Sequence, residues 1–127
     1  MSEAPVICVV EDDESLRTAV VGLLRSYGYR ARGFPSAEAF LETRATADCG
    51  CIVADIQLPG LSGLELKARL DQLGARTPVI LVTARTEPAW LDKAQACGAL
   101  SLLSKPFAED ALLSCVRRAL GETGEPA

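Results

Sequence analysis

Histidine is absent from this chain of 127 residues. That absence removes histidine-based catalytic triads, most zinc sites and any role as a carrier of phosphohistidine. A basic excess is also missing: 13 Lys and Arg face 17 Asp and Glu, for a formal charge of −4. No basic stripe is left to track a phosphate backbone, so direct nucleic-acid binding by this chain is not expected. The longest apolar run, Val6–Val10, has five residues, far short of a membrane span. Residues 1–5 show neither the charged nor the apolar region of a signal peptide. No G-x-G-x-x-G follows the first apolar run, which removes the usual dinucleotide cradle. Repeats and low-complexity tracts are lacking as well.

What remains has the balance of a soluble globular domain, with 49% apolar and 24% charged residues. The length suits one domain with a sizeable core. The five cysteines, at 8, 49, 51, 97 and 115, are odd in number and fall in strand-like or helical runs. They read as reduced core thiols of a cytoplasmic protein. Cys49-Gly50-Cys51 is too tight for a C-x-x-C pair and has no second pair to complete a zinc site.

The chain is organised around Cys51–Gly63, C-I-V-A-D-I-Q-L-P-G-L-S-G. Ile52-Val53-Ala54 reads as a strand buried on both faces, ending in the single acid Asp55. A loop with Pro59 and Gly60 follows, and Ser62 and Glu65 have capping-box spacing for the next helix. Asp55 therefore stands at the carboxyl end of a strand, where open α/β sheets bind their ligands.

The same alternation runs through the chain. Val6–Val10 reads as a buried strand that stops at Glu11-Asp12-Asp13-Glu14. Leu16, Ala19, Val20, Leu23, Leu24 and Tyr27 recur at helical spacing up to Gly28. Residues 29–34 form a half-polar strand suited to an edge, and Pro35-Ser36-Ala37-Glu38 opens a second helix carrying Phe40 and Leu41. Leu66, Leu70 and Leu73 carry the third helix to Gly74. Residues 78–83 make a fourth strand ending at Thr83, Pro88 to Cys97 a short helix, and Leu100 to Leu103 a fifth strand before Ser104-Lys105-Pro106. Leu112, Leu113, Val116, Ala119 and Leu120 line the last helix. Five strand–helix alternations with short connections specify a single-domain parallel sheet with helices on both faces.

Four strand ends, all but that of the second strand, thus contribute Glu11 and Asp12, Asp55, Thr83 and Lys105 to one rim. Each has a plain alternative: a solvated lysine, a strand-end hydroxyl, or acids favoured at a helix N-terminus. All of them in phase with strand ends point to chemistry. Crowded carboxylates need a cation among them, and hard oxygen ligands suit Mg2+. Asp55 is then placed to attack phosphorus as a nucleophile, with Lys105 and the Thr83 hydroxyl holding phosphoryl oxygens.

The motifs V-E-D-D, D-I-Q-L-P-G-L-S-G, V-T-A and K-P-F, in this order, resemble a receiver domain of a two-component response regulator over essentially the whole chain. The segment F-P-S-A-E-A-F-L (Phe34–Leu41) and the G-A-L…K-P-F ending resemble the FixJ-like branch, whose receivers usually precede a LuxR-type DNA-binding domain. The resemblance implies a flavodoxin-like (βα)5 doubly wound sheet of strand order 2-1-3-4-5, with residues 1–121 as the receiver and 122–127 as a polar tail or the start of a linker. It implies Asp55 as phosphoacceptor, Mg2+ held by Asp12 directly, by Glu11 through water, and by the main-chain carbonyl of Gln57. Thr83 becomes the switch hydroxyl and Lys105 the phosphate-binding lysine, with a cis peptide to Pro106. Gln57 and Arg85 flank the phosphoryl site and tune its lifetime.

The implied partners are a sensor histidine kinase or phosphotransfer protein, and a second copy in a phosphorylation-dependent homodimer, with no membrane. Trp90, Lys93 and Leu102 are expected on or beside the dimer surface. Many receivers carry an aromatic residue where Leu102 stands, and leucine offers less area for the switch. Two other chemistries fare worse. An Asp-nucleophile phosphohydrolase needs a second acid where Gln57 stands, and a flavodoxin-like nucleotide binder would meet four acids after the first strand.

Overall fold

The computed structural model describes residues 5–43, 49–84 and 87–121, with the side chain of Trp90 outside that set. The expectations for Arg85, the Trp90 indole and the tail 122–127 therefore lie outside the described residues.

Strand β1 (Val6–Val10) is buried along its whole length. Its side chains alternate between two cores, Val6, Cys8 and Val10 on one face and Ile7 and Val9 on the other. Helix α1 (Glu14–Ser26) starts where Asp13 accepts the Leu16 amide at 3.1 Å. Strand β2 (Arg30–Phe34) buries only Ala31 and Phe34, one in each core, and leaves its other residues exposed, as suits a sheet edge. Helix α2 (Ala37–Glu42) is capped by Ser36 and anchored by Phe40. Strand β3 (Cys49–Asp55) leads to helix α3 (Gly63–Gln72), where the Ser62–Glu65 capping box is complete in both directions. Strand β4 (Val79–Thr83) is fully buried. Helix α4 (Pro88–Ala96), strand β5 (Ser101–Ser104) and helix α5 (Glu109–Ala119) complete the alternation.

All neighbouring strands pair in parallel, in the order β2-β1-β3-β4-β5. One face packs Phe40, Leu66, Leu70 and Ala94 from α2, α3 and α4 against Ile52, Ala54 and Leu81. The other packs Val20, Leu24, Leu112 and Val116 from α1 and α5 against Val53, Ile80 and Val82. Each buried Val, Leu, Ile or Phe side chain among these contributes about 1.5–3 kcal/mol over its exposed state. Both layers together pin the strand ends that form the site.

Several details differ from the pattern. β3 begins at Cys49, because a register shift between Val6 and Ile7 takes their partners from Cys49 to Cys51, leaving Gly50 unpaired with β1. β5 lies one residue later than its apolar run, with Leu100 38% exposed. Tyr27 and Leu73 are exposed because each is the residue where its helix stops, past the turn that faces the core. Ala19 also faces solvent. The five cysteines are free thiols, four of them buried, and burial pushes the Cys51 thiol up, as expected of inert core residues. Among the described residues, no helix is long and apolar enough to cross a membrane.

Candidate functional site

Two strand ends build an acidic pocket. Glu11 follows β1 directly, Asp12 is next, and Asp55 is the last residue of β3. One carboxylate oxygen from each of the three lies within 4.8 Å of those of the other two. Asp12 is exposed, whereas Glu11 and Asp55 are buried. Asp13 and Glu14, by contrast, serve α1 as its cap and first-turn acid. The run of four acids thus divides into two for the pocket and two for the helix.

Lys105 reaches in from the end of β5. Its Nζ donates to Asp55 Oδ2 at 2.6 Å and to Glu11 Oε1 at 3.0 Å, spanning 50 and 94 residues of sequence. Burial alone would lower the ammonium's pKa. The bonds to Asp55 and Glu11 outweigh burial and leave it raised. Glu11 goes the other way from an ordinary ion-paired acid. Burial pushes its carboxyl up, against the Asp13 amide at 3.1 Å and Lys105, and the charge of Asp55 adds to the rise.

Asp55 is held at both oxygens, since Oδ1 accepts the Gln57 amide at 2.9 Å. Gln57 itself is exposed. Thr83, the last residue of β4, is fully buried and stands one position past Val82, which pairs with Asp55. The Lys105 amide donates to the Thr83 carbonyl at 2.7 Å, and the Lys105–Pro106 bond is cis. When all three acids are ionised, one ammonium leaves two negative charges uncompensated, the charge of one divalent cation. An all-oxygen donor set fits a hard ion such as Mg2+.

A family model of the response regulator receiver domain matches residues 7–117. The chain belongs to the response-regulator receiver family. This receiver is 38% identical over 125 residues to the transcriptional regulatory protein FixJ of Azorhizobium caulinodans, which covers 98% of this chain and 59% of that one. It is 37% identical over 115 residues to the response regulator protein TmoT of Ectopseudomonas mendocina, covering 91% of this chain and 52% of that one. The chain therefore spans about half the length of the curated relatives it matches. Among solved structures, the response regulator StyR superposes with a TM-score of 0.86 at 36% identity, over 97% of this chain and 62% of that one. The FixJ amino-terminal domain superposes with 0.84 at 28% identity, over 95% and 96% respectively.

Two supports of the receiver's pocket escape sequence reasoning. Arg17 on α1 donates from Nη1 to the main-chain carbonyl of Glu11 at 2.9 Å and so steadies the acidic turn. No local pattern announces it, because its acceptor is backbone. Gly63 is the first residue of α3, and its amide donates to the Ile56 carbonyl at 2.9 Å. A Cβ there would come within 2.5 Å of the Asp55 carbonyl oxygen, so only glycine lets α3 lie against the phosphoacceptor candidate's backbone. The signal was present: a glycine directly after a capping serine is a poor helix former in a place that gains nothing from it locally.

Proposed function

We propose that this receiver takes a phosphoryl group from the phosphohistidine of a sensor kinase, or of a phosphotransfer protein, onto Asp55. One observation carries the reading: the buried Asp55 carboxylate shares a single rim with Lys105 Nζ at 2.6 Å and with the carboxylates of Glu11 and Asp12. An Asp55 carboxylate oxygen attacks phosphorus, the new P–O bond makes an acyl phosphate, and the P–N bond to the donor imidazole breaks. The imidazole leaves with its electron pair and takes up a proton. Glu11, Asp12, Asp55 and the main-chain carbonyl of Gln57 would hold Mg2+, which would supply charge neutralisation for the phosphoryl oxygens. Lys105 keeps its place and follows the charge from carboxylate to phosphoryl oxygen, while the Thr83 hydroxyl donates a hydrogen bond to another. Water later cleaves the acyl phosphate, the only other reaction that the domain assists.

An apolar cleft of about 480 Å3, lined by Leu16, Ala84, Lys105, Pro106 and Phe107, opens beside the lysine and fits the approach of the phosphodonor. The signal leaves through α4, β5 and α5, where Leu102 packs against the core that contains Ala94 of α4. Movement of Thr83 toward the phosphoryl group shifts a pre-existing equilibrium at this edge, ending in a homodimer. Output is transcriptional, through an attached or partner domain, as the name of the FixJ relative suggests. The receiver works in the cytoplasm and does not itself touch nucleic acid.

The test is Mg2+-dependent labelling by a small acyl phosphate, read by intact mass. Wild type takes one phosphoryl group and Asp55→Asn takes none while keeping its fold. Labelling of Asp55→Asn at the wild-type rate would overturn the assignment.

A further inference from the structure

The segment between Asp55 and α3, residues 56–62, carries Gln57 past the acidic pocket. Three of its amides find partners within three residues, and that of Ile56 joins the neighbouring strand β4. Ile56 donates to the Val82 carbonyl at 2.8 Å, Gln57 to Asp55 Oδ1 at 2.9 Å, Leu58 to the Ile56 carbonyl at 3.2 Å and Ser62 to Glu65 Oε1 at 2.9 Å. Leu61 is different. Its amide donates at 2.9 Å to Oε2 of Glu38, a side chain of α2 that lies 23 residues earlier. Gly60, beside it, has φ +76°, and a Cβ there would run into the Glu38 carboxylate. Ser36 and Phe40 fix where Glu38 sits, the first by accepting the Ala39 amide at 3.0 Å, the second by full burial. The hydrogen bond from Leu61 holds the Glu38 carboxyl below its usual range, with its own amide and Arg69 adding to the effect.

We infer that Glu38 is a positioning residue for the phosphorylation site, clasping the Gly60–Leu61 turn from α2 so that Gln57 keeps its place beside Asp55. The inference rests on the reading of Asp55 as phosphoacceptor and of the Gln57 carbonyl as a metal ligand. It gives the F-P-S-A-E-A-F-L segment a job at the site. Ser36 starts the helix, Phe40 anchors it, and Glu38 ties it to the loop. The competing account is an acid that merely favours the N-terminus of α2. The two accounts part at substitution. Asp at position 38 keeps the charge but is one methylene too short to reach Leu61, whereas Gln loses the charge and keeps both reach and acceptor.

Glu38→Asp, Glu38→Gln and Glu38→Ala are compared with wild type in three measurements. These are amide hydrogen exchange at Leu61 and Gln57, Mg2+ affinity followed by the Gln57 amide resonance, and lifetime of the acyl phosphate. Glu38 is exposed, so thermal melts should stay close to wild type. Glu38→Asp and Glu38→Ala should speed exchange at Leu61 by about tenfold and weaken Mg2+ binding by about threefold. They should also change the acyl phosphate lifetime, while Glu38→Gln restores wild-type behaviour in all three. Wild-type Mg2+ affinity and lifetime in Glu38→Asp, or a Glu38→Gln as impaired as Glu38→Ala, would overturn the clasp alone. Wild-type protein that neither binds Mg2+ nor takes a phosphoryl group would overturn the parent reading and the clasp with it.

Discussion

Strands β1, β3 and β4 bury every residue except Gly50, whereas all four residues of β5 keep some exposure. The flanking helices repeat the contrast. α3 has a reciprocal capping box and buries Gly63, Leu66 and Leu70. α4 has Glu87 at its N-cap with no side-chain cap bond, and Ala94 is its one buried residue among those described. The acids and Thr83 therefore hang from the tightly packed centre of the sheet, whereas β5 and α4 of the proposed output edge are held by little burial and α5 supplies the buried side chains there. Chemistry that needs fixed distances and a surface that must shift place opposite demands on packing, and local opening is easiest where burial is thinnest.

Core truncation breaks the contrast most directly. Ile52→Ala, at a fully buried centre position, should cost about 3 kcal/mol in urea unfolding. Leu102→Ala on half-buried β5 should cost about 1 kcal/mol. Equal losses would erase the distinction between the two regions.

At the rim, Lys105→Met leaves Glu11 and Asp55 facing each other without their ammonium. A loss of about 2 kcal/mol is expected in metal-free buffer, largely recovered when Mg2+ is added. Urea melts with and without the ion decide it, and a deficit that ignores Mg2+ would count against an acidic cation site.

At the edge, Leu102→Phe should tighten the proposed phosphorylation-dependent dimer by about threefold, since a ring would fill more of the space that the proposed movement of Thr83 opens. Sedimentation of the acyl-phosphate-treated proteins reads this. A wild type that stays monomeric when phosphorylated would place the output elsewhere.

The smallest expected effect is a pH limb. Burial raises Glu11 above its ordinary carboxyl value, so the folded state holds that proton more tightly than the unfolded chain. Stability in metal-free buffer should therefore fall as pH rises from the ordinary glutamate value through the raised one, and Glu11→Gln should flatten that limb. Lys105 acts at the alkaline end. Its raised pKa contributes stability that is present below the ordinary lysine value and lost as pH climbs through the raised one.

Periodicity and punctuation alone determined the alternation of five strands and five helices, the parallel sheet, and the placing of Glu11, Asp12, Asp55, Thr83 and Lys105 at strand ends. These are local properties: an apolar run of strand length, a capping serine or a glycine stop acts over a few residues, whatever the rest of the chain does. The motif order added the strand order 2-1-3-4-5. Tertiary structure alone decided the rest. Lys105 meets Glu11 across 94 residues, Glu38 meets Leu61 across 23, and Arg17 finds a main-chain carbonyl that no side-chain pattern marks. The same holds for Gly50, left unpaired with β1 where the register of β3 shifts. Such contacts depend on how strands slide and helices seat against one another. That is settled by the packing of both core layers at once, and no window of sequence contains it.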